Sequence, residues 1–237
     1  MSKSKKNKRA KQTVEFIEKE EKFHIKPIKC RSQKQKEFLN VLENNQITIC
    51  IGPAGTSKTY TAVYNALRSL EKKQVDQIIL IKPNIDIPGY EMGFLPGDYL
   101  DKLSPYYYSY NDQIDKIIGE EFRKQLIKEN KIKIIPIATL RGRTFDRSYC
   151  IIDEIQNCNY DAFKTIITRI GEGSIYNLMG DIGQIDFKKK SESALKKILD
   201  LFKDDPKIGT FEFTEDDVVR NPLITHILKK LKTIENT

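Results

Sequence analysis

The sequence predicts an α/β fold in which a mostly parallel β-sheet is flanked by helices. Short apolar runs rich in β-branched residues alternate with longer amphipathic stretches along the chain. The runs are almost continuously apolar, which is typical of parallel strands that are buried on both faces. One run also leads through a glycine-containing turn into an amphipathic stretch, over residues 46–72. Strands that alternate with helices need crossover connections, and these favour a parallel sheet.

Six strands and five helices are predicted outside one long interval. The strands are residues 46–51, 77–82, 132–137, 149–153, 175–179 and 209–213. The helices are residues 33–43, 58–72, 160–170, 193–202 and 223–231. The interval at about 84–130 interrupts the alternation, and we interpret it as an insertion that carries helices of its own.

The length and composition suit one substantial core. A chain of 237 residues with 39% hydrophobic residues leaves little room for a second domain. We therefore expect one domain over residues 25–237, preceded by a basic flexible tail over residues 1–24. The first eleven residues hold six lysines and arginines and no acid, so this segment repels itself and stays solvated. It is either a solubilising arm or a contact to a polyanion.

Nothing in the sequence indicates a membrane segment or a zinc site. No apolar stretch is long enough to cross a bilayer, and residues 1–24 lack the apolar segment of a signal peptide. We therefore expect a cytoplasmic protein without a membrane partner. The four cysteines form no CxxC pair and only two histidines are present, so a zinc site is not expected.

Residues 52–59, GPAGTSKT, have the pattern of a phosphate-binding loop between a strand and a helix. Small residues let successive backbone N–H groups converge on phosphate oxygens at the start of the helix, where the helix dipole also favours an anion. Lys58 would neutralise the β- and γ-phosphates of ATP, and the Thr59 hydroxyl would bind Mg²⁺. The predicted nucleotide contacts in this segment are Gly52, Pro53, Ala54, Gly55, Thr56, Ser57, Lys58, Thr59 and Tyr60.

Ser57 stands where such loops have their second glycine. The backbone N–H that a phosphate would use is retained, so only the added Cβ matters. With ordinary helical angles the side chain is tolerated. With left-handed angles it costs about 1–2 kcal/mol, which would weaken a nucleotide site without abolishing it.

A second motif, YCIIDEIQN at residues 149–157, is an apolar strand that ends in two carboxylates. The C-terminal edge of the strands is where α/β sheets bind ligands. Asp153 is predicted to orient the Mg²⁺ shell, and Glu154 to polarise the attacking water. An Asp-Glu pair alone also occurs at the start of ordinary helices, and the phosphate loop in the same sheet is what favours the catalytic interpretation.

With several other segments, these motifs resemble the PhoH family, whose ATPase domain is related to the first motor domain of superfamily-one helicases. MGFLPGD at 92–98 and RGRT at 141–144 are specific to that family, whereas GPAGxxKT and DE belong to many P-loop enzymes. The resemblance spans about residues 35–228 and implies a single RecA-like P-loop NTPase domain that uses ATP and Mg²⁺. Its other segments are TRIGEGS at 168–174, GDIGQID at 180–186 and DVVRNPL at 217–223.

The resemblance also implies roles for three residues outside the loop. Gln35 matches a glutamine that reads adenine in related helicases, although an exposed polar helix residue would account for it equally well. Gln184 matches a γ-phosphate sensor, whose carboxamide can bond both the attacking water and a phosphate oxygen. Arg220 matches an arginine that stabilises the transferred phosphoryl group, and its alternative is a surface arginine at a helix start. The predicted catalytic residues are therefore Lys58, Glu154, Gln184 and Arg220.

The chain departs from the family pattern at four positions. Ser57 and Gly183 stand where the family has glycine and threonine, and Lys82 and Tyr90 replace an arginine and a small residue. Ser57 bears on nucleotide affinity or rate, whereas Lys82 and Tyr90 bear on the interactions of the insertion. The carboxylates, the loop lysine, the Mg²⁺-binding hydroxyl and the sensor glutamine are all retained.

Candidate nucleic-acid contacts lie in two places. Arg141 and Arg143 occupy a segment where related helicases contact the strand, and they could clamp backbone phosphates. Four tyrosines of the insertion could stack on bases or pack against the sheet with their hydroxyls at the surface: Tyr106, Tyr107, Tyr108 and Tyr110. Since one motor domain cannot step along a strand alone, we expect a homo-oligomer, for which the resemblance allows a ring.

Two functions of different classes stay open. The first is an Mg-dependent ATPase that remodels or moves along RNA or single-stranded DNA. The second is a nucleotide-gated switch that binds nucleic acid or a partner with little hydrolysis. Glu154 and Gln184 favour the ATPase because a switch needs no water-orienting pair, whereas Ser57 favours the switch. In a third class, a small-molecule kinase, GDIGQ and RGRT would have no evident purpose.

Overall fold

The structure, a computed structural model, describes residues 24–83, 99–185, 193–219 and 227. The side chains of residues 99–107 and 138 are not described. Several predictions lie outside these residues: most of the basic tail, the MGFLPGD segment with Tyr90, Arg220, and the helix expected at 223–231. No helix in the described ranges is long and apolar enough to span a membrane.

Six strands of the described chain form one sheet in the order β3-β2-β4-β5-β1-β6, and every pairing in it is parallel. The six predicted strands are confirmed. Strand β3 ends before its predicted limit: Ile135 N still donates to Leu80 O of β2 at 3.0 Å, and the chain then enters a 3-10 helix at Ile137–Thr139. The strands are β1 (Ile47–Ile51), β2 (Gln77–Ile81), β3 (Ile132–Ile134), β4 (Ser148–Ile152), β5 (Ile175–Gly180) and β6 (Ile208–Glu212).

Within the same described ranges, six α-helices accompany these strands, two of them in the interval that the sequence identified as an insertion. They are α1 (Gln33–Asn44), α2 (Lys58–Glu71), α3 (Tyr99–Ile118), α4 (Glu120–Lys128), α5 (Tyr160–Ile167) and α6 (Leu195–Phe202). Side-chain caps fix two of the starts: the Ser32 hydroxyl accepts from Gln35 N at 3.2 Å, and the Asn159 amide oxygen accepts from Ala162 N at 2.9 Å. Helix α5 ends before its predicted limit because Ile170 instead bridges to Phe145.

The helices cover both faces of the sheet. Helices α1 to α4 pack on one face, where Phe38, Leu67 and Tyr110 are buried. Helices α5 and α6 pack on the other face, where Ile166 and Ile198 are buried. Because neither face of the central strands reaches water, most side chains on both faces are apolar, and this explains the nearly continuous apolar runs in the sequence.

The position of β1 decides where the loops meet. Strand β1 lies between β5 and β6, with Ile51 opposite both Gly180 and Glu212. Strand β4 pairs with the other side of β5. The segments that follow β1, β4 and β5 therefore leave three neighbouring strands at the same edge of the sheet.

Asn177, in the middle of β5, provides a test of core energetics. Its side chain is fully buried, and neither polar atom of its amide has a hydrogen-bond partner among the described residues. An unpaired buried amide costs about 1–3 kcal/mol. We expect Asn177→Val to raise the free energy of unfolding by about 1 kcal/mol and the Tm by about 2–4 °C, as measured by denaturant and thermal unfolding.

Asn65→Val is the matched control. Asn65 is also buried, but its amide donates to the Tyr149 hydroxyl at 3.1 Å, so its removal should lower the stability. A loss of stability in Asn177→Val as well would show that a buried water pairs that amide.

Candidate functional site

A pocket of about 350 Å³ opens at the edge of the sheet where β1, β4 and β5 end. The structure brings together in this pocket the glycine-containing loop, the Asp-Glu pair and the GDIGQ segment, which are far apart in the sequence. The pocket is lined by Ala54, Gly55, Ser57, Lys58, Thr59, Tyr60, Gln113, Asp153, Glu154, Gly180, Asp181, Gln184 and Val219.

Gly52 begins the loop in a place that excludes any side chain. Its φ is +148°, and a Cβ there would lie 2.5 Å from Phe213 Cβ. Its N–H donates to Gly180 O at 3.1 Å. Glycine therefore lets the chain turn away from β1 directly against the end of β6.

Ser57 takes the left-handed conformation, with φ 67° and ψ 24°. The sequence left open whether Ser57 has ordinary helical or left-handed backbone angles, and the structure has the left-handed ones. For a residue other than glycine these angles cost about 1–2 kcal/mol. Ser57 is also the N-cap of α2, yet its side chain makes no capping hydrogen bond. Because the left-handed angles belong to the fold of the loop itself, the strain lowers the stability of the fold and does not by itself lower nucleotide affinity.

Lys58 is 9% exposed and points into the curl of the loop. Its ammonium donates to Gly52 O at 2.6 Å and to Pro53 O at 2.9 Å, with Thr56 Oγ1 at 3.5 Å. An ammonium has three donors, so a phosphate that binds here exchanges with at least one loop oxygen. The loop is thus held around a positive charge that also lines the pocket.

Thr59 and Asp153 join the loop to the end of β4. The Thr59 hydroxyl donates to Asp153 Oδ2 at 3.2 Å. Burial raises the pKa of the Asp153 carboxyl, and the nearby Glu154 adds to the rise, while Lys82 opposes it. A hydroxyl beside a carboxylate provides the oxygen ligands that Mg²⁺ prefers. A cation would also relieve the unfavourable burial of this charge, so the residues present suit Mg²⁺.

Glu154 and Gln184 lie in adjacent loops and share one partner, Gln156. The Gln156 side-chain N–H groups donate to Glu154 Oε2 at 2.6 Å and to Gln184 O at 3.3 Å. Gln156 Oε1 accepts from Asp181 N at 3.1 Å. The Gln184 carboxamide in turn donates to Asp181 Oδ2 at 2.8 Å.

Gln156, Asp181 and Gln113 had no role in the sequence interpretation. Gln156 and Asp181 lie inside the motifs IIDEIQN and GDIGQ. Their closeness in sequence to Glu154 and Gln184 is the signal that could have identified them as site residues. Gln113 comes from α3 in the insertion. No local pattern points to it, because only the packing of α3 brings it to the pocket.

Gln35 does not line the pocket, and it is not the exposed helix residue that was its alternative. Its side chain is 3% exposed. Its Oε1 accepts from Arg31 N at 2.8 Å, while its Nε2 has no hydrogen-bond partner among the described residues. Within the loop itself, Gly52, Pro53 and Thr56 contact Lys58 and do not line the pocket.

Arg141 and Arg143 are exposed and lie outside the pocket. A hydrogen bond anchors the loop that carries them: Arg169 Nη1 donates to Arg143 O at 3.1 Å. The tyrosine cluster of the insertion divides: Tyr110 is buried against the sheet, whereas Tyr108 is 58% exposed. The structure does not describe the side chains of Tyr106 and Tyr107.

Ser57→Gly tests the strain in the loop. Glycine takes left-handed angles freely, although it loses more conformational entropy on folding. We expect a gain in the free energy of unfolding of about 1 kcal/mol, measured by denaturant unfolding. Nucleotide affinity should change by less than about three-fold, because the left-handed angles belong to the fold of the loop.

Ser57→Ala is the control, since it keeps the Cβ and removes only the hydroxyl. It should bring no gain in stability. If Ser57→Gly and Ser57→Ala both lose nucleotide affinity, the hydroxyl is itself a ligand contact.

Known proteins resemble this chain along most of its length. The PhoH-like protein of Bacillus subtilis strain 168 is 36% identical over 204 residues, which cover 86% of this chain and 64% of that protein. Protein PhoH of Escherichia coli K12 is 33% identical over 204 residues, which cover 85% of this chain and 57% of that protein. The chain thus spans less than two thirds of the length of these relatives.

One solved structure with a related fold is the large terminase from a thermophilic bacteriophage. It aligns with a TM-score of 0.52 at 10% identity, over 85% of this chain and 50% of that one. This likeness concerns the fold alone, and it agrees with the RecA-like P-loop architecture that the sequence predicts.

The family model described as PhoH-like protein matches residues 27–232. The match includes the whole sheet, the phosphate loop, the acidic pair after β4 and the GDIGQ segment after β5. On these grounds the chain belongs to the PhoH-like protein family, on a P-loop nucleotide-binding fold.

Proposed function

We propose that the protein is an ATPase that binds ATP with Mg²⁺ and couples hydrolysis to RNA or single-stranded DNA. The observation that carries this proposal is the meeting in one pocket of a phosphate loop, a hydroxyl-carboxylate pair and a carboxylate-carboxamide pair. Phosphate binding alone needs only the loop. The additional pair of Glu154 and Gln184 is what hydrolysis requires, because it can hold and polarise a water.

The phosphates would bind at the start of α2. The N–H groups of the first helical turn have no acceptor inside the helix, and the helix dipole favours an anion there. Lys58 would move its ammonium from the carbonyls of Gly52 and Pro53 to the β- and γ-phosphates. Thr59 and Asp153 would hold Mg²⁺, which when bound neutralises charge on the phosphates. We further propose that Gln35, whose buried Nε2 has no partner among the described residues, reads the adenine after a local rearrangement.

The chemical step would use the opposite side of the pocket. Glu154 would polarise the attacking water through the carboxylate oxygen that Gln156 does not occupy. Gln184 would bond the same water or a phosphate oxygen after releasing Asp181. Arg220 lies outside the described residues, directly after Val219, whose N–H donates to Gly55 O at 3.1 Å. We propose that it stabilises the transferred group, from the same chain or from a neighbouring subunit.

The nucleic acid would bind away from the chemistry. The exposed guanidinium groups of Arg141 and Arg143 suit backbone phosphates, and the net charge of +8 favours a polyanion. A homo-oligomer, with a ring as one arrangement, would supply a second motor unit for movement along a strand.

The domain is proposed to span residues 25–237. The four cysteines are all free, which suits the reducing cytoplasm.

The alternative is a nucleotide-gated switch. It is favoured by the Lys58 ammonium, because its hydrogen bonds to the carbonyls of Gly52 and Pro53 must exchange before it can contact a phosphate. The two functions differ in one measurable quantity, the release of phosphate.

Two substitutions separate binding from hydrolysis. Lys58→Ala should abolish most ATP binding by calorimetry, because it removes the cation in the loop. Glu154→Gln should keep ATP binding and lower phosphate release by about 10²-fold or more, because the amide cannot accept a proton from water. Lys72→Ala and Glu172→Gln, at exposed positions away from the pocket, are the controls.

Equal ATP affinity in Lys58→Ala and the wild type would contradict the nucleotide site. ATP binding by the wild type without phosphate release, in the presence of RNA and of single-stranded DNA, would identify the switch.

Arg141 and Arg143 make a prediction about nucleic acid. The double substitution Arg141→Gln with Arg143→Gln removes two phosphate contacts, so the slope of log K against log salt should fall by about 1.4 for a single strand. Fluorescence anisotropy with labelled oligonucleotides over a salt series measures it. Lys124→Gln is the control, because Lys124 is paired with Glu120 at 2.6 Å. An unchanged slope would place the nucleic-acid interface elsewhere.

A further inference from the structure

Gln156 makes three hydrogen bonds that tie the loop after β4 to the loop after β5. Building on the ATPase function proposed above, we propose that Gln156 is a positioning residue that aligns Glu154 with the Gln184 segment for hydrolysis. It would touch neither ATP nor the attacking water. Its effect on the reaction passes through Glu154.

The hydrogen-bonding capacity of Gln156 is matched to this place. A glutamine amide has two N–H donors and one oxygen acceptor. One donor goes to Glu154 Oε2, the other to Gln184 O, and the oxygen accepts from Asp181 N, with distances of 2.6, 3.3 and 3.1 Å. The side chain is 1% exposed, so water cannot replace these partners without rearrangement. Gln156 therefore lies in the loop after β4 but also forms hydrogen bonds with two residues of the loop after β5.

Gly180 leaves the space that this amide occupies. A Cβ on Gly180 would lie 3.0 Å from Gln156 Oε1, closer than neighbouring side chains normally approach. Gly180 is also the last residue of β5 and lines the pocket. The close approach of the two loops therefore depends on the absence of a side chain at Gly180, at the end of β5, and on the long side chain of Gln156 in the loop after β4.

Glu154 needs such support because its backbone is held in an unfavourable conformation. Its φ is 63°, a left-handed value that is uncommon for a residue other than glycine. The short bond to Gln156 fixes which carboxylate oxygen is occupied and leaves the other for a water. Because Gln156 also holds the carbonyl of Gln184, a shift of either loop changes the distance between the two groups that would hold the water.

The ATP-binding side of the pocket has no such dependence. Lys58 bonds to the carbonyls of its own loop, and Thr59 bonds to Asp153. Removal of the Gln156 amide should therefore lower kcat and leave ATP binding nearly unchanged. Misplacement of a catalytic group by about 1 Å costs up to about 10²-fold in rate.

Two substitutions of similar volume test this role. Gln156→Met keeps the length of the side chain and removes all three hydrogen bonds. Gln156→Glu keeps the shape but places a second carboxylate against Glu154 with no donor. Both should lower kcat by about 10- to 100-fold, with ATP affinity by calorimetry within about three-fold of the wild type. Gln77→Met is the control, because Gln77 also bridges neighbouring strands, to Ser148 Oγ at 2.9 Å, but at the opposite edge of the sheet.

A double-mutant cycle separates positioning from a merely structural role. In a Glu154→Gln background, Gln156→Met should bring no further loss of rate, since the group it positions is already removed. Independent losses that multiply would overturn the proposal, as would a Gln156→Met variant that loses ATP affinity as much as kcat. If the wild type hydrolyses ATP and Gln156→Met is equally fast, only the role of Gln156 fails. If the wild type does not hydrolyse ATP, the proposed function fails and this role fails with it.

Discussion

The arrangement of the site depends on the parallel pairing of β1 between β5 and β6, with β4 on the far side of β5. Parallel strands place all their C-terminal ends at one edge, so the segments after β1, β4 and β5 meet there. The contact from Gly52 N to Gly180 O at 3.1 Å fixes the first of these segments against the third. Loss of this register would separate Lys58 from Glu154, although both would remain in the chain.

The loops at this edge are strained where they carry the candidate site. Ser57 and Glu154 both have left-handed backbone angles, with φ of 67° and 63°. Residues in such conformations cost about 1–3 kcal/mol each and persist only where the surrounding structure holds them in place. Here the holding groups differ. The Ser57 carbonyl accepts from Thr61 N at 3.0 Å within α2, whereas the Glu154 side chain is held by Gln156 from the loop after β4.

The insertion contributes one side chain to the pocket and contacts Lys82, whose charge acts on Asp153. Helix α3 supplies Gln113 to the pocket lining. The Lys82 ammonium lies 5.6 Å from the centre of the Tyr110 ring of α3, a cation-π distance. Burial raises the pKa of the Asp153 carboxyl, and the charge of Lys82 opposes that rise. Lys82 thus connects the insertion to the side of the pocket where Thr59 and Asp153 meet.

The sequence by itself determined the six strands, the family and the phosphate-loop motif, because each rests on local chemistry: apolar periodicity, the need for glycine at Gly52, and a lysine and threonine at fixed spacing. It also identified Asp153, Glu154 and Gln184 as candidates. Only the tertiary structure decided that Ser57 is left-handed, that Gln35 is buried away from the pocket, and that Gln156 joins two loops. Backbone angles and contacts between distant segments depend on how the sheet is assembled, and no local pattern records them.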